Sequence, residues 1–325
     1  MTLTDSQGRR INYLRLSVTD RCNLRCTYCM PPEGIPKLSH SDILSYEDLH
    51  RIACQAVGLG LDKIRITGGE PLVRKGVVGF LEKLAAIPGL TELVLSTNGV
   101  LLRQMARDLR RAGVQRLNVS LDSLKPEIFA RITRGGDLRQ VLDGLDAAEQ
   151  AGFPPVKINM VVMRGVNDDE VLDFAALTLH RACTVRFIEY MPTMLAPDWR
   201  SLWVPGREFL ERIERRYPLR PLDVTDRAGP ARNFRIAGAA GTLGVITPIS
   251  HHFCDHCNRI RVTATGMARG CLFAGCGVDL KPYLRVGDEP LREVLRQVAT
   301  KKPVWHNLLA AQPAYSPFAM AHIGG

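Results

Sequence analysis

Aromatic residues make up only 6% of this 325-residue chain, and basic and aromatic residues are not interleaved. Proteins that hold single-stranded nucleic acid stack bases on aromatic platforms along a basic groove, so that class is disfavoured. No apolar run approaches the roughly 20 residues a membrane helix requires, so neither nucleic acid nor membrane is an expected partner. Residues 1–10 are polar and lack the apolar stretch of a secretory leader, which makes a cytoplasmic location the expectation. Disulfide scaffolding is disfavoured too: the nine cysteines fall largely at metal-ligand spacings, which suits a reducing compartment. What remains is ordinary for a soluble enzyme-sized chain, with 46% hydrophobic and 23% charged residues. The formal charge is +10, from 43 basic and 33 acidic residues. Such an excess favours anionic partners, although stretches such as Arg103–Arg111 read as solvated surface.

Three cysteines, Cys22, Cys26 and Cys29, stand in the run Asp20-Arg21-Cys22-Asn23-Leu24-Arg25-Cys26-Thr27-Tyr28-Cys29-Met30. No fourth cysteine lies close enough to complete the set locally. Thiolates hold iron–sulfur clusters, and a cubane offers four irons, so three ligands leave one iron open. An open position separates a reactive metal centre from one that only braces a fold. A zinc knuckle normally adds a second pair or a histidine nearby, and a disulfide cannot use three cysteines.

Residues 12–190 alternate short Val/Ile/Leu-rich runs with amphipathic stretches. The spacing predicts strands at Leu14–Val18, Lys63–Thr67, Glu92–Thr97, Arg116–Leu121, Lys157–Val162 and Val185–Tyr190. Helices are expected at Tyr46–Val57, Val77–Ile87, Leu101–Ala112, Leu138–Gln150 and Asp169–His180, with Ser45 and Asn167 as N-caps. This strand–helix alternation implies a parallel α/β architecture, a partial, open (β/α)6 TIM-like barrel rather than the closed barrel of eight units. Sites in such folds gather at the carboxyl ends of strands. There the sequence places the cysteine loop, Gly68-Gly69-Glu70-Pro71, Ser96-Thr97-Asn98-Gly99 and Ser120-Leu121-Asp122. Past Met191 the composition turns Pro- and Arg-rich. A boundary near residue 200 is expected, dividing a barrel domain (1–200) from a smaller carboxyl-terminal α+β cluster-binding domain (201–325). Cys54 and Cys183 read as ordinary buried thiols.

A second group, Cys254, Cys257 and Cys271, has the spacing Cys-x2-Cys-x13-Cys. On spacing alone it suits a zinc ribbon, with Cys276 or His256 as fourth ligand, as well as iron–sulfur. The flanking Gly275 and Gly277 place Cys276 in a turn. Arg259 and Arg261 are two apart, so on a strand they share a face, where two guanidiniums can grip a polyphosphate. An exposed basic stripe has the same spacing.

The first triplet and its surroundings resemble the radical S-adenosylmethionine enzymes. Together with the second group, the chain resembles the GTP 3′,8-cyclases of molybdenum cofactor biosynthesis. The similarity runs through Lys63-Ile64-Arg65-Ile66-Thr67-Gly68-Gly69-Glu70-Pro71, Asn118-Val119-Ser120-Leu121-Asp122, Val156-Lys157-Ile158-Asn159, Phe187-Ile188-Glu189-Tyr190-Met191-Pro192, Cys257-Asn258-Arg259-Ile260-Arg261 and Ile323-Gly324-Gly325. It implies a lyase with two 4Fe–4S clusters, one on Cys22, Cys26 and Cys29 that binds S-adenosylmethionine, one on Cys254, Cys257 and Cys271 whose open iron meets guanine. Cys276 is not part of that pattern. The activity implied is conversion of GTP to (8S)-3′,8-cyclo-7,8-dihydroguanosine 5′-triphosphate by a 5′-deoxyadenosyl radical. Carried over as cofactor contacts are Tyr28, Gly69, Ser120 and Met191. Arg15, Arg65, Ser96, Lys157, Arg259 and Arg261 are carried over as substrate contacts. Arg15, Arg65 and Lys157 fall within expected strands, where a long cation needs pairing by a ligand or by a carboxylate such as Glu70 or Glu189. Gly324 and Gly325 are carried over as a catalytic tail. The resemblance also implies a flavodoxin- or ferredoxin-type reductant and, as functional neighbour, cyclic pyranopterin monophosphate synthase, and it allows a homodimer.

Overall fold

The computed structural model describes residues 2–36, 38–39, 41–192, 199–223, 229–275, 277–306 and 320–324. Cys276 and Gly325, both singled out above, lie outside the described residues. The first half of the chain alternates as the periodicity requires: β1 (Tyr13–Ser17), α1 (Tyr46–Gly58), β2 (Lys63–Thr67), α2 (Val77–Ala85), β3 (Glu92–Thr97), α3 (Leu102–Arg111) and β4 (Arg116–Ser120). Two successive helices, α4 (Pro126–Thr133) and α5 (Leu138–Gln150), precede β5 (Lys157–Val162), α6 (Val171–His180) and β6 (Thr184–Glu189). The remainder comprises α7 (Trp199–Leu202), α8 (Gly206–Glu214), β7 (Leu219–Pro221), β8 (Arg232–Ile236), β9 (Thr242–Ile246), β10 (Arg259–Val262), β11 (Met267–Arg269), β12 (Val278–Asp279), α9 (Lys281–Val286), α10 (Asp288–Thr300) and α11 (Met320–Ile323).

The chain divides into two compact units. One holds residues 1–97, 107–116 and 254–325; the other holds 98–106 and 117–253. In the first, β1, β2 and β3 run parallel, β10 adds in parallel beside β1, and β11 and β12 follow antiparallel. In the second, β4, β5, β6 and β9 run parallel, with β8 and β7 antiparallel at the edge. Sheet strands therefore come from the carboxyl-terminal third as well as from the six expected units. β9 and β10 are short, and four- and five-residue apolar runs in a Pro- and Arg-rich context carry little signal of their own.

The strands alternate in a way a parallel sheet covered on both faces does not need. Leu14, Leu16, Ile64, Ile66, Leu93, Leu95, Ile260 and Val262 are all at most 2% exposed and share one face of the first unit's sheet. Helix α1 packs behind them, burying Leu49, Ile52, Ala53 and Ala56. Its start is capped as expected: the Ser45 Oγ accepts from the Asp48 N–H at 3.0 Å. The other face carries Tyr13, Arg15 and Ser17 of β1 beside Lys63, Arg65 and Thr67 of β2.

Two expectations need correction. Asn167 precedes the short turn Asp168–Glu170 but its side chain caps nothing. It is fully buried, accepts from the Met163 N–H at 2.7 Å, and donates to the Asp122 and Val161 carbonyls. Cys183 is buried, but Cys54 is only half-buried, with its sulfur 3.6 Å from Nδ1 of His50.

Candidate functional site

The loop after β1 is pinned to the end of β2 by backbone contacts that only glycine permits. Gly69 donates to the Thr19 carbonyl and Glu70 to the Arg21 carbonyl, both at 2.8 Å. A Cβ on Gly69 would lie 2.4 Å from the Arg21 oxygen, and one on Gly68 would lie 2.8 Å from the Thr19 oxygen. The Gly-Gly pair thus lets the base of the cysteine loop press against β2. Asp20 is buried and accepts from the Leu38 N–H at 3.2 Å. Within the loop, the Cys29 and Met30 amides donate to the Cys26 carbonyl, and the Leu24 amide approaches the Cys22 sulfur at 3.4 Å. All three cysteines and Tyr28 are half-buried. Glu70 accepts from the Leu72 N–H and the Thr97 hydroxyl, tying the ends of β2 and β3 together.

The register then stacks charge in rows across the sheet of the first unit. Arg65 of β2, Arg15 of β1 and Arg261 of β10 are direct neighbours, and Arg269 of β11 pairs with Arg261. One step toward the strand starts, Lys63, Tyr13 and Arg259 form a second row. One step toward the strand ends lie Ser17 and Thr67, with Ser96 of β3 on the same face by alternation. Successive rows are about 7 Å apart at the usual strand rise. Burial and the neighbouring guanidiniums of Arg261 and Arg65 pull Arg15 well below its ordinary pKa. Burial and Arg259 lower Arg261 to about 10. Among the described residues no carboxylate lies within ion-pair distance of Arg15, Arg65 or Arg261. Arg15 Nε, Arg65 Nε and Arg261 Nη1 are buried without a hydrogen-bond partner there. The pairing considered with Glu70 or Glu189 therefore does not occur for Arg15 and Arg65. Glu189 is instead saturated by the Gly206, Ile249 and Ser250 amides and the Ser250 hydroxyl. A buried array of donors without acceptors is what a polyanion would complete.

The second cysteine group belongs to the same unit. The Cys257 amide donates to the Cys254 carbonyl at 3.1 Å, and Arg259 Nη2 lies 3.6 Å from the Cys257 sulfur. Burial raises the Cys257 thiol, but Arg259 and Lys302 outweigh it and bring it down to about 6. Burial pushes the Cys254 thiol up, and the charges of Cys271 and Cys257 act in the same direction. Two residues not expected from sequence brace this group. Arg9, 8% exposed, pairs with Asp5 at 2.6 Å and donates to the Cys254, Pro303 and Val304 carbonyls. Lys302, 4% exposed, donates to the carbonyls of Arg259 at 2.9 Å and of Gly270. His256 is exposed. Two sets of three soft thiols suit iron–sulfur clusters in donor chemistry, although among the described residues neither set is gathered closely enough to hold a metal ion as it stands.

The carboxyl-terminal turn is seated on the same face. The Met320 amide donates to the Cys29 carbonyl at 3.1 Å, and the Thr67 hydroxyl donates to the Gly324 carbonyl at 3.3 Å. Gly324 has φ +76°, and a Cβ there would meet Ser17 Cβ at 2.6 Å and Thr67 Oγ1 at 2.7 Å. It thus rests on the row immediately above the arginines.

In the second unit, Ser120, Asn159, Arg186 and Gly244 form one row across β4, β5, β6 and β9, and Asn118, Lys157 and Thr184 lie in the row before. Asn118 is 1% exposed with both amide atoms unpartnered, and Asn159 Oδ1 is likewise buried without a partner among the described residues. Arg186 is 7% exposed. Met191 follows β6. Asn118, Asn159 and Arg186 were missed as site candidates. The available signal was their alternation with Val119, Ile158 and Phe187 in strands that should be apolar throughout.

The chain matches the family model described as the radical SAM superfamily over residues 16–178, and that described as Molybdenum Cofactor Synthesis C over residues 183–308. It is 64% identical to the GTP 3′,8-cyclase of Geobacter sulfurreducens, covering 100% of both chains. It is 46% identical to the GTP 3′,8-cyclase of Moorella thermoacetica, covering 99% of this chain and 100% of the relative. Among solved structures, Streptococcus suis SuiB bound to S-adenosylmethionine superimposes with a TM-score of 0.58 at 16% identity, over 92% of this chain and 66% of that one. SuiB bound to its precursor peptide SuiA gives 0.62 at 13% identity, over 96% and 70%. At that identity the likeness concerns the fold, and it agrees with the open, mixed α/β architecture. The rows of cations, the two thiol triplets and these matches lead to one assignment: the chain belongs to the radical SAM superfamily and, within it, to the family of GTP 3′,8-cyclases.

Proposed function

We propose that this chain cyclises GTP to (8S)-3′,8-cyclo-7,8-dihydroguanosine 5′-triphosphate, the first step of molybdenum cofactor biosynthesis. The observation that carries the reading is the buried donor array of Arg65, Arg15 and Arg261, which shares one unit with both cysteine triplets. Cys22, Cys26 and Cys29 would hold one 4Fe–4S cluster, and Cys254, Cys257 and Cys271 the other. With S-adenosylmethionine bound, the first cluster supplies the one-electron chemistry that removes hydrogen from the ribose.

The protein's part is binding and placement. Arg15, Arg65, Arg259 and Arg261 bind the triphosphate through charge-assisted hydrogen bonds, assisted by Ser96 and Lys157. Anchoring the distant phosphates fixes the ribose relative to the cysteine loop, so these residues set both affinity and alignment. Tyr28, Gly69, Ser120 and Met191 serve S-adenosylmethionine. Gly324 and Gly325 are the catalytic tail of this reading, and Gly324 is seated on Ser17 and Thr67, the row above the arginines.

The finer assignments of partner and place belong to the same proposal. They are a flavodoxin- or ferredoxin-type electron donor, cyclic pyranopterin monophosphate synthase as the enzyme that takes the product, a homodimer, and action in the cytoplasm. Among the described residues no helix is long and apolar enough to cross a membrane. The boundary near residue 200 is retained as the functional division between S-adenosylmethionine binding and the second cluster. The reading is tested by anaerobic incubation of the reconstituted protein with GTP, S-adenosylmethionine and dithionite. Cyclised nucleotide is expected in proportion to 5′-deoxyadenosine; modification of a peptide with GTP ignored would refute it.

A further inference from the structure

We propose that the Tyr13 hydroxyl is a further substrate-binding group, a hydrogen-bond donor to a phosphate oxygen of the bound nucleoside triphosphate. Tyr13 is 5% exposed, and its hydroxyl has no hydrogen-bond partner among the described residues. A buried phenol without a partner costs stability, so such a group normally marks a missing acceptor.

The surroundings say what that acceptor is. Tyr13 lies between Lys63 and Arg259 in register, with Arg15 two residues further along its own strand. Lys63 Nζ is 5.0 Å and the Arg65 guanidinium 5.4 Å from its ring centre. Lysine and arginine side chains only donate hydrogen bonds, so none of these neighbours can accept from the phenol. Glu92, a carboxylate on this face, is engaged by Lys63 at 2.6 Å and Arg116 at 2.9 Å. With Arg15 Nε, Arg65 Nε and Arg261 Nη1, the Tyr13 hydroxyl makes a fourth buried donor atom across two adjacent rows. A single carboxylate has too few oxygens and too little charge to complete four donors; a polyphosphate has enough of both. A metal ion is repelled by the same cations. The ring is already held by the cations stacked on it, so the hydroxyl meets the phosphate without further ordering.

The inference rests on the reading that this face binds the triphosphate, and the variants separate the two. Tyr13→Phe keeps the ring under Lys63 and Arg65 and deletes only the oxygen. Calorimetry on anaerobically reconstituted full-length protein, without reductant, would compare GTP, inorganic tripolyphosphate and guanosine. A hydrogen bond to a charged acceptor predicts a loss of about tenfold in affinity for GTP and tripolyphosphate alike, with guanosine unaffected. The kcat/KM for GTP should fall by at least a similar factor while iron content holds. In the absence of nucleotide, Tyr13→Phe should unfold at the same temperature or higher, because it removes an unsatisfied buried group. Unchanged GTP and tripolyphosphate binding in Tyr13→Phe, with binding lost in Arg15→Met, would overturn the Tyr13 assignment and leave the arginine face standing. Unchanged binding in both variants would overturn the face as well. A lower unfolding temperature of nucleotide-free Tyr13→Phe would give the hydroxyl a partner within the protein and also overturn the proposal.

Discussion

Replacing Gly324 by Ala tests the seat of the tail with a single methyl group. The residue sits at φ +76°, where an L side chain costs about 1–2 kcal/mol. The new Cβ would stand 2.6 Å from Ser17 Cβ and 2.7 Å from Thr67 Oγ1. That is roughly 1 Å inside normal contact, and overpacking of this kind typically adds about 1–3 kcal/mol. Together these terms disfavour the docked tail by about 2–5 kcal/mol, a shift of at least about thirtyfold toward undocking. The Thr67 hydroxyl loses the Gly324 carbonyl at the same time, keeping the longer bond to the Leu16 carbonyl. The strand pairings are made without the tail, so the thermal midpoint and iron content should stay near those of the parent. Single-turnover assays should show S-adenosylmethionine still cleaved but cyclised nucleotide reduced at least about tenfold. Truncation of Gly324 and Gly325 should give the same pattern. Full cyclisation by Gly324→Ala would show that the docked tail is not required, since the docked geometry cannot survive the substitution unchanged.

The cysteine triplets should separate by phenotype: Ala at Cys22, Cys26 or Cys29 abolishes S-adenosylmethionine cleavage. Ala at Cys254, Cys257 or Cys271 leaves some cleavage and no cyclised product, both read by chromatography of 5′-deoxyadenosine and nucleotide. Gly69→Ala would place a Cβ 2.4 Å from the Arg21 carbonyl oxygen, so the loop base must move, and iron bound by the first triplet should fall while the second triplet keeps its own. Glu189→Gln should destabilise the protein by about 2–4 kcal/mol in chemical denaturation, because an amide replaces a fully buried carboxylate held by three backbone amides and a hydroxyl. Burial pushes the Cys183 thiol up to about 11 from 9.0, so the folded state favours the neutral form. Its contribution is complete below the unfolded value, about 9, and falls by about 2–3 kcal/mol as pH rises toward 11. Cys183→Ala should accordingly lose less stability than the parent across that window.

The six parallel strands were readable because each is a short Val/Ile/Leu-rich run between amphipathic helices. Glu92–Thr97 needed no adjustment. Cys22, Cys26 and Cys29 stood out as a candidate ligand set because all three lie in one short loop. The arginine row was only half legible. Arg259 and Arg261 announce a shared face by their spacing, yet Arg15 and Arg65 become their neighbours only through the pairing of β10 with β1 and of β1 with β2. That pairing joins residues nearly 250 positions apart, and no local pattern encodes it. Arg9 and Lys302 escaped notice for the same reason, since their partners are backbone carbonyls, which carry no sequence signature. Helix α4 was not among the expected helices; Pro126 stands at its first turn, where the missing N–H is harmless.

On this reading the cationic face holds GTP with its ribose within reach of the first cysteine triplet's chemistry. Incubation with GTP deuterated at C3′, followed by mass spectrometry of both products, tests it most directly. Deuterium should appear in 5′-deoxyadenosine and be absent from the cyclised nucleotide. Cleavage of S-adenosylmethionine that leaves the label on intact GTP would contradict it.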